Sequence, residues 1–574
     1  MANRRSQVLL DGAWRFNIDR HEIGEKNGWH LPAYSDLQWG QYPVPGNWDA
    51  YLPELFGYSG NAWYRHSFRV QPAWQRRKIH LRFEGANYAT AVWLNGQLVG
   101  SHSGGFDPFE FDVTDLVEWG ASNSLAVRVD NWPRINRVPN SFAGWWNYGG
   151  IYRSVVLKAL PQVRISDIFI HSEQVVDGQP LRVNLELLNE SDQVVVVNPV
   201  AKVKSDNLTL EMNDPGGVRL APGESRSVEL SGPLSQPRLW SPQSPALYNI
   251  QLDLFSGRKL LDRTGLYFGV RKFEVRGKQL LLNNQPIYLT GFDRHEEYYG
   301  TGRVDPDNQL FDDLSMIQKL GGNTVRMHYQ AHPDLYDIAD ALGLMVFAEI
   351  PAWQIGVKDI KEWDNPEVWQ TTETMLRTLI HDLKNHPSVV IWSVGNECAT
   401  DKQESRPLIK HLAETVRSLD TSRPVAMVGM YGDKDVFFDL VDLPCMNTYS
   451  FHDQAGLRSK IDRILAKIGD KPLLVTEFGA EAILELHGDN YGTEEEQASI
   501  LADHWKVFKE YGHSIPGALI WSLADYWHQP MAPDFSWGVN RYFFCHGVLS
   551  LDRFPKKAVE TVSKLWNSRE DSRI

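Results

Sequence analysis

Eight short apolar runs in the second half of this 574-residue chain most constrain its fold. Each run has the length of a buried strand, and longer stretches with helical periodicity, such as 309–320 and 368–384, separate the runs. Eight strand-then-helix units predict a (β/α)8 barrel over residues 276–574. The runs are Pro286–Phe292, Asn323–His328, Leu344–Ile350, Val389–Gly395, Pro424–Gly429, Leu443–Tyr449, Leu473–Phe478 and Ala518–Leu523.

The first half of the chain has the pattern of two all-β domains. Residues 1–160 contain short alternating strands between turns, and the Asn95-Gly96 pair between apolar runs is a strong hairpin signal, so we predict a jelly-roll sandwich. Residues 161–275 contain further short strands such as Leu181–Asn189, which predict an immunoglobulin-like sandwich. The sequence has no Cys...Trp...Cys pattern of the antibody type.

Charge and cysteine content exclude several classes of function. The chain has 58 Lys and Arg against 72 Asp and Glu, a net charge of -14 without long runs of one sign, which argues against nucleic acid or a membrane as partner. No apolar run approaches the ~20 residues of a membrane-spanning helix, and the N-terminus does not resemble a signal peptide. Cys398, Cys445 and Cys545 are too scattered for disulfides. We therefore expect a cytoplasmic protein, and a homo-oligomer is compatible with this composition.

Aromatic residues and strand-end acids point to a carbohydrate substrate. The chain has 21 Trp, 21 Tyr and 24 Phe, and although most of these fill cores, flat aromatic faces also stack on sugar rings. Glu397 and Glu477 each follow an apolar run, at the rim where barrel enzymes place their active sites. A single strand-end Glu is more often a helix-cap neighbour or a rim ion pair. Two facing carboxyl groups, with Asn396 beside one, favour glycoside hydrolysis by the retaining route.

Several segments together resemble glycoside hydrolase family 2, which includes β-galactosidases, β-glucuronidases and β-mannosidases. Lys384–Glu397 resembles the family's acid/base signature, and Thr476–Ala480 resembles its nucleophile segment. The resemblance covers nearly the whole chain and implies the order jelly roll, immunoglobulin-like sandwich and barrel. Further matching segments are Pro45–Trp48, Trp63–Arg65, Asn147–Arg153, Phe268–Phe273 and Thr290–Glu296.

The resemblance also implies roles for individual residues. Glu477 would be the nucleophile and Glu397 the general acid and then base. Asn396 would bind the 2-hydroxyl of the sugar, and Tyr449 would donate a hydrogen bond to the nucleophile, although a strand-end tyrosine also suits a core position. These roles require an ionised nucleophile and an acid with a raised pKa.

Further residues would complete the sugar subsite. By resemblance to the family, Arg326 of this chain would support the nucleophile, His295 would line the sugar subsite and Trp521 would form the floor of that subsite. His328 and His332 have the i, i+4 spacing of a zinc pair, but they follow a strand and lack the Glu of His-Glu-x-x-His, so we assign His328 to the subsite.

The sequence departs from the family's familiar substrate motifs. β-Glucuronidases resemble one another in an Asn-x-Lys that grips the uronate carboxylate, and Phe544 and His546 stand at those two places here. Gly144 stands where many members carry a jelly-roll Asp, and Trp145 and Trp146 beside it are candidates for sugar stacking. These changes predict a neutral sugar of galactoside type.

Other substrates and a further class of function remain open. A β-glucuronidase or β-galacturonidase with a non-standard clamp, formed by Arg541 or His546, is one alternative, and an α-L-arabinofuranosidase or galactofuranosidase is another. A non-catalytic carbohydrate-binding protein is a remote alternative, because such a relative would be expected to have lost one of the two acids.

We expect no cofactor and no essential metal. The Glu-x-His that binds magnesium in large galactosidases is missing from Glu349–Gln354, and the chain has no phosphate loop or dinucleotide fingerprint. Cys398 lies beside the acid, but no His/Asn pairing accompanies it, so it is better explained as a buried filler.

Overall fold

A computed structural model describes residues 5–134, 136–139, 144–204, 208–212, 217–306, 308–529 and 542–567. The chain divides into two compact units. One contains the two β-sandwiches and comprises Met1–Trp132, Tyr148–Trp240 and Ala246–Arg271. The other contains the barrel and comprises Pro133–Asn147, Ser241–Pro245 and Lys272–Ile574.

The first sandwich consists of two antiparallel sheets around one apolar core. The four-stranded sheet has the order Ser6–Leu9, Val155–Leu160, Lys78–Phe83, Phe109–Asp112. The six-stranded sheet has the order Gly40–Val44, Gly12–Asp19, Asn61–Arg69, Ser122–Asp130, Ala89–Leu94, Gln97–Ser103. Short elements complete it: the paired strands Ala86–Asn87 and Gly150–Ile151, the helix Trp48–Tyr51 and the 3-10 turns Pro53–Leu55 and Pro72–Trp74.

The hairpin predicted at Asn95-Gly96 is confirmed. The two residues have φ angles of 52° and 82° and join two antiparallel strands in which Leu94 is opposite Gln97. A two-residue hairpin of this kind needs positive φ at both central positions, which Asn and Gly adopt most readily.

In the described part of the second sandwich, eight antiparallel strands surround a separate core. In Leu181–Asn189 every second side chain is buried, as alternation of apolar and polar residues predicts for a strand with one face in a core. The strands are Val163–His171, Leu181–Asn189, Val195–Val203, Leu208–Met212, Val218–Leu220, Ser225–Gly232, Tyr248–Ser256 and Lys259–Phe268. The 3-10 turn Glu173–Asp177 and the two-residue strands Trp240–Ser241 and Ser244–Pro245 also lie in this part of the sequence.

Eight parallel strands close into a barrel, which confirms the predicted fold. No strand extends more than one residue beyond its predicted apolar run at either end, and every strand residue except Thr290 is buried, as expected where helices cover a parallel sheet. A three-stranded sheet, Phe273–Arg276, Gln279–Leu282 and Gln285–Pro286, precedes the barrel. The barrel strands are β1 Leu289–Asp293, β2 Thr324–Met327, β3 Met345–Glu349, β4 Val389–Asn396, β5 Val425–Gly429, β6 Leu443–Asn447, β7 Leu474–Phe478 and β8 Gly517–Ile520.

Four of the described helices of this unit start at a residue whose side chain caps them, His332, Asn365, Asp453 or Thr493. Asn365 accepts a hydrogen bond from the Glu367 N–H at the start of a helix whose first residue is Pro366, and His332 caps the preceding helix in the same way. The helices of this unit are α1 Gln309–Lys319, α2 Pro333–Leu342, α3 Pro366–Leu383, α4 Arg406–Leu419, α5 Gln454–Ile468, α6 Glu494–Glu510 and α7 Ala558–Trp566.

One of the eight predicted strand-then-helix units lacks its α-helix. Between β5 and β6 the connection, all of which is described, contains the 3-10 turn Gly432–Lys434 instead of an α-helix. Thirteen residues separate Gly429 from Leu443, which is close to the minimum length for a connection that contains a helix. The other short elements are the 3-10 turns Ile360–Asp364, Gln403–Ser405 and Gly512–Ser514 and the paired strands Tyr526–Trp527 and Phe543–Phe544.

Within the described part of the chain, no helix combines the length and the apolar character that crossing a membrane requires.

Candidate active site

A cavity of about 530 Å³ lies at the carboxyl ends of the barrel strands. Both strand-end glutamates line it, Glu477 from β7 and Glu397 from the residue after β4. Its volume suits a ligand of one or two sugar rings. The other predicted residues that line it are Trp145, His328, Asn396, Tyr449, Trp521 and His546.

Two strong donors hold the Glu477 carboxyl group. The Tyr449 hydroxyl donates to Oε2 over 2.7 Å, and the Arg326 guanidinium donates to Oε1 over 2.8 Å. Glu477 is only 3% exposed. Both oxygens therefore have donors, an arrangement that suits a carboxylate anion whose orientation must be constant.

Arg326, on β2, is the centre of a buried charge network. Its Nη1 also donates to Asp293 Oδ1 over 2.6 Å, and its Nη2 donates to both oxygens of Glu349 over 3.1 Å. Burial lowers the pKa of Arg326, but the charges of Glu349, Asp293 and Glu477 outweigh it and raise this pKa well above its usual value. The guanidinium thus remains charged among three carboxyl groups from β1, β3 and β7.

The pKa values of Asp293 and Glu349, the two acids beside Arg326, are shifted in opposite directions. Burial, with Glu477 and Glu349 adding to it, raises the pKa of Asp293 well above its usual value, even though Arg326 opposes this. Burial also acts to raise the pKa of Glu349, but Arg326 and His328 outweigh it and hold that pKa low. Two acids that bind the same guanidinium thus have pKa values shifted in opposite directions.

Glu397 has different surroundings. It follows β4 with a left-handed φ of 52°, which is uncommon for a residue with a side chain, and its carboxyl group faces the cavity. Asn447 Nδ2 donates to its Oε1 over 2.8 Å, and Trp353 Nε1 lies 3.4 Å from its Oε2. Burial and then the charge of Glu477 raise the pKa of Glu397 to about 7, against these two donors. The group can therefore hold or release a proton near neutral pH.

Asn396 is the last residue of β4 and lines the cavity beside Glu397. Its Oδ1 accepts a hydrogen bond of 3.1 Å from Asn447 Nδ2, which also donates to Glu397. This contact fixes the side-chain amide of Asn396 and leaves its nitrogen as a donor for a ligand.

Aromatic rings form one wall and the floor of the cavity. The Trp145 ring is stacked on His328, with centroids 6.0 Å apart, and His328 meets the edge of Trp521 at 5.0 Å. His328 Nδ1 lies 2.9 Å from Glu349, whereas its Nε2 has no hydrogen-bond partner among the described residues and lies 3.6 Å from Glu477. His328, Trp145 and Trp521 thus combine an apolar surface with one polar atom directed towards Glu477.

Two residues predicted to line the subsite lie elsewhere. His295 is behind the cavity wall, with its ring 5.3 Å from that of Trp145 and 4.5 Å from that of Tyr526, because these larger rings occupy the space in front of it. Burial lowers the pKa of His295 well below its usual value. Trp146 is also outside the cavity lining, and its backbone bonds to Trp527 and Arg303. Of the two adjacent tryptophans, only Trp145 lines the cavity.

The structure explains why Gly144 replaces an acid. A Cβ atom at this position would meet the Trp353 ring at 3.2 Å, which is tighter than ordinary van der Waals contact. Trp353, which follows β3, therefore leaves little room for a side chain at position 144. The departure from the family pattern at Gly144 is thus in contact with the second departure, the segment Glu349–Gln354 that contains Trp353.

The positions of the uronate clamp are apolar or neutral. Phe544 is 7% exposed, and its ring lies 4.1 Å from that of His528. Burial, with the charges of Lys556 and His528, lowers the pKa of His546 to about 3, so its imidazole is neutral at pH 7. Arg541, the other residue suspected from the sequence, lies outside the described residues.

One group of side chains at the site has the spacing of metal ligands. Ligand atoms of Asp293, His328 and Glu477 all lie within 4.8 Å of one another. Arg326 Nη1, however, already donates to both of the carboxyl groups in this set. A guanidinium thus supplies the positive charge there, and the donor set does not fit an additional cation.

Sequence reasoning missed several residues of the site. Asn447 and Trp353 hold Glu397, and Asp293 and Glu349 hold Arg326. All four lie at or just after the carboxyl end of a barrel strand. That position was the available signal, since barrel active sites are built there.

Family models match the chain over nearly its full length. The model described as glycosyl hydrolases family 2, sugar binding domain, matches residues 8–161, the model glycosyl hydrolases family 2 matches 163–271, and the model glycosyl hydrolases family 2, TIM barrel domain, matches 273–570. Barrel, sandwiches and paired glutamates define an O-glycosyl hydrolase. The chain belongs to glycoside hydrolase family 2.

The similar proteins favour one of the substrate alternatives. The chain is 29% identical to a β-glucuronidase of Paenibacillus borealis over 97% of this chain and 96% of that protein. Its fold resembles a crystal structure of a β-galacturonidase from Eisenbergiella tayi bound to galacturonate, with 25% identity, coverage of 98% and 97%, and a TM-score of 0.86. A β-glucuronidase of Lactobacillus rhamnosus has 26% identity, coverage of 99% and 97%, and a TM-score of 0.85. These names support the uronide alternative better than the galactoside expected from the sequence.

Proposed function

We propose that the chain is a retaining, exo-acting hydrolase of terminal β-linked hexuronides, either glucuronides or galacturonides. The contrast between two carboxyl groups in one cavity carries the proposal. Glu477 accepts hydrogen bonds from Arg326 and Tyr449, whereas the pKa of Glu397 is raised to about 7. Such a pair can divide nucleophile and acid between them. The similar proteins supply the substrate class.

Each group has a role in a double displacement. Glu397 gives its proton to the glycosidic oxygen while a Glu477 oxygen attacks the anomeric carbon, so the bond to the aglycone breaks and a glycosyl ester forms. Glu397 then removes a proton from water, which attacks the same carbon and releases the sugar and the Glu477 carboxylate. Asn396 binds the 2-hydroxyl, and Trp521 supports the ring.

The substrate carboxylate requires a clamp unlike the Asn-x-Lys pair. An unpaired carboxylate in a closed pocket costs several kcal/mol, and the Phe544 ring offers no donor. The neutral His546 imidazole, which lines the cavity, can donate one hydrogen bond. We assign the charged partner to Arg541 on the basis of its place in the sequence.

A neutral galactoside is the second candidate. The observation that favours it is the buried Phe544 ring at the position of the clamp. In that case no charged partner is needed, and the aromatic wall alone would bind the ring.

Hydrolysis of a panel of 4-nitrophenyl glycosides tests both candidates. We expect kcat/KM for the β-glucuronide or β-galacturonide to exceed that for the matching neutral hexoside by about 10²-fold or more, the factor that several kcal/mol provides. Arg541→Gln should lower uronide turnover, whereas Arg377→Gln, an exposed residue of α3, is the matched control. Higher turnover of the neutral hexosides would establish the second candidate. Release of nitrophenol from no glycoside would refute the enzymatic role.

A further inference from the structure

Two lysines line the cavity on the side of Glu397. Lys358 follows β3, and Lys460 lies on α5. Among the lining residues that the structure describes, the carboxyl groups are those of Glu397 and Glu477. Outside the lining, the charge of Glu362 acts on Lys358 and that of Asp435 acts on Lys460.

Lys358 belongs to a loop that is bound to the end of β4. Trp353, in this loop, has its Nε1 3.4 Å from Glu397 Oε2, and the Gln354 N–H donates to the carbonyl oxygen of Asn396 over 3.2 Å. Val357 and Lys358 are exposed and line the cavity. The loop therefore brings Lys358 to the mouth of the cavity beside the proposed acid.

Lys460 reaches the same side from another element. Its Nζ donates to the carbonyl oxygen of Asn447 over 3.0 Å, and Asn447 Nδ2 donates to Glu397 Oε1. Burial lowers the pKa of Lys460, against the charges of Asp435 and Glu397. A partly desolvated ammonium group of this kind gains from an anionic ligand.

The nucleophile side of the cavity has no comparable lysine among the described lining residues. Glu477 is surrounded by Arg326, Tyr449 and His328, which the buried network already uses. In a glycoside hydrolase the acid protonates the leaving oxygen, so groups beside the acid face the aglycone and groups beside the nucleophile face the terminal sugar.

We propose that Lys358 and Lys460 form a leaving-group subsite that binds an anionic aglycone, namely a sugar residue with a carboxylate. This inference rests on the proposed function, because it takes Glu397 to be the acid. It implies that the substrate is the end of an acidic oligosaccharide, in which the residue next to the scissile bond is charged as well.

Paired disaccharides test the subsite. Both carry the terminal sugar that the aryl glycoside panel identifies, and they differ only in the reducing residue, which is a free hexuronate in one and its methyl ester in the other. We expect the wild-type kcat/KM to be about tenfold higher for the acid than for the ester. Lys460→Met should reduce this ratio roughly fivefold, and the more exposed Lys358→Met roughly threefold.

Two further variants control the experiment. Lys460→Arg keeps the charge and should keep the ratio, which separates charge from the packing of the side chain. Lys410→Met, at an exposed position of α4, should leave both rate constants unchanged. A wild-type ratio near one, or lysine variants that lower turnover of acid and ester equally, would overturn the subsite. Failure of the proposed function is distinct, because it would appear as absent turnover of every aryl glycoside.

Discussion

The two sides of the cavity show how one barrel mouth can give two carboxyl groups different surroundings. On the nucleophile side, Glu477 accepts hydrogen bonds from a buried Arg326 and from Tyr449. On the acid side, Glu397 accepts one hydrogen bond from Asn447 and a longer one from Trp353, and no arginine touches it among the described residues. The chemistry of a carboxyl group is therefore set by its donors and its burial, since both residues are glutamates at strand ends.

Glu477 and Glu397 also differ in the residues that lie behind their direct hydrogen-bond partners. Behind Glu477, the carboxyl groups of Asp293 and Glu349 hold the Arg326 guanidinium in place. Behind Glu397 are an amide, an indole and two lysines of the cavity wall. An ion-pair network thus supports Glu477, whereas Glu397 can hold or release a proton near neutral pH.

Removal of the proposed nucleophile is the strongest way to break this comparison. Glu477→Gln keeps the shape of the side chain but cannot form a glycosyl ester, so we expect kcat to fall at least about 10⁴-fold with activated and unactivated glycosides alike. Glu414→Gln, at an exposed position of α4, is the matched control and should retain full activity. Burst kinetics in the Glu477 variant would show that another residue attacks the sugar.

Substitution of Glu397, the proposed acid, should have a different effect from substitution of Glu477. Glu397→Gln should lower turnover of unactivated glycosides by about 10² to 10⁴-fold, the usual contribution of a general acid, and activated glycosides should be affected less in their first step. Added azide needs no base, so it should attack the glycosyl ester and give a glycosyl azide of retained configuration. An azide product of inverted configuration, identified by NMR, would mean that the two glutamates have the opposite roles.

The pH dependence should distinguish the two sides more finely. Glu397 must be protonated for the first step, and its pKa is about 7, so kcat/KM should fall as the pH rises above that value. The Asn447 hydrogen bond lowers this pKa. Asn447→Ala should therefore move the basic limb of the profile to higher pH. Trp353→Phe removes a longer contact and should move it less in the same direction. A shift to lower pH would contradict the assignment of Glu397 as the acid.

The smallest effect is expected from chelation. Arg326 supplies the positive charge among Asp293 and Glu477, so treatment with EDTA should leave kcat/KM unchanged. Loss of activity after EDTA treatment and its recovery with magnesium would show that a cation belongs to the nucleophile side.

Local patterns predicted most of the fold. The eight barrel strands appear in the sequence as continuous apolar runs, because both faces of each strand are covered. The sandwich strands appear as alternation, and Asn95-Gly96 marks a hairpin, since these signals depend only on neighbouring residues. The 3-10 turn between β5 and β6 was not predicted, because periodicity detects a helix better than it detects the absence of one.

The candidate site was predictable where motif and strand end coincide. Glu397, Asn396, Glu477 and Tyr449 all follow apolar runs and resemble family segments, and the structure brings them to one cavity. Trp146 resembles Trp145 in type and position but does not line the cavity. Residue type alone cannot tell which of two adjacent side chains faces a ligand.

The sequence by itself determined the succession of strands and helices, the family and the two strand-end glutamates, because each of these depends on short segments. The tertiary structure alone decided which carboxyl group meets Arg326, why Gly144 accompanies Trp353, and that Lys358 and Lys460 reach the same side of the cavity. These contacts join residues that are far apart in the chain. Closure of the barrel brings the ends of all eight strands together, and the pKa of a buried group follows from that arrangement rather than from its neighbours in sequence.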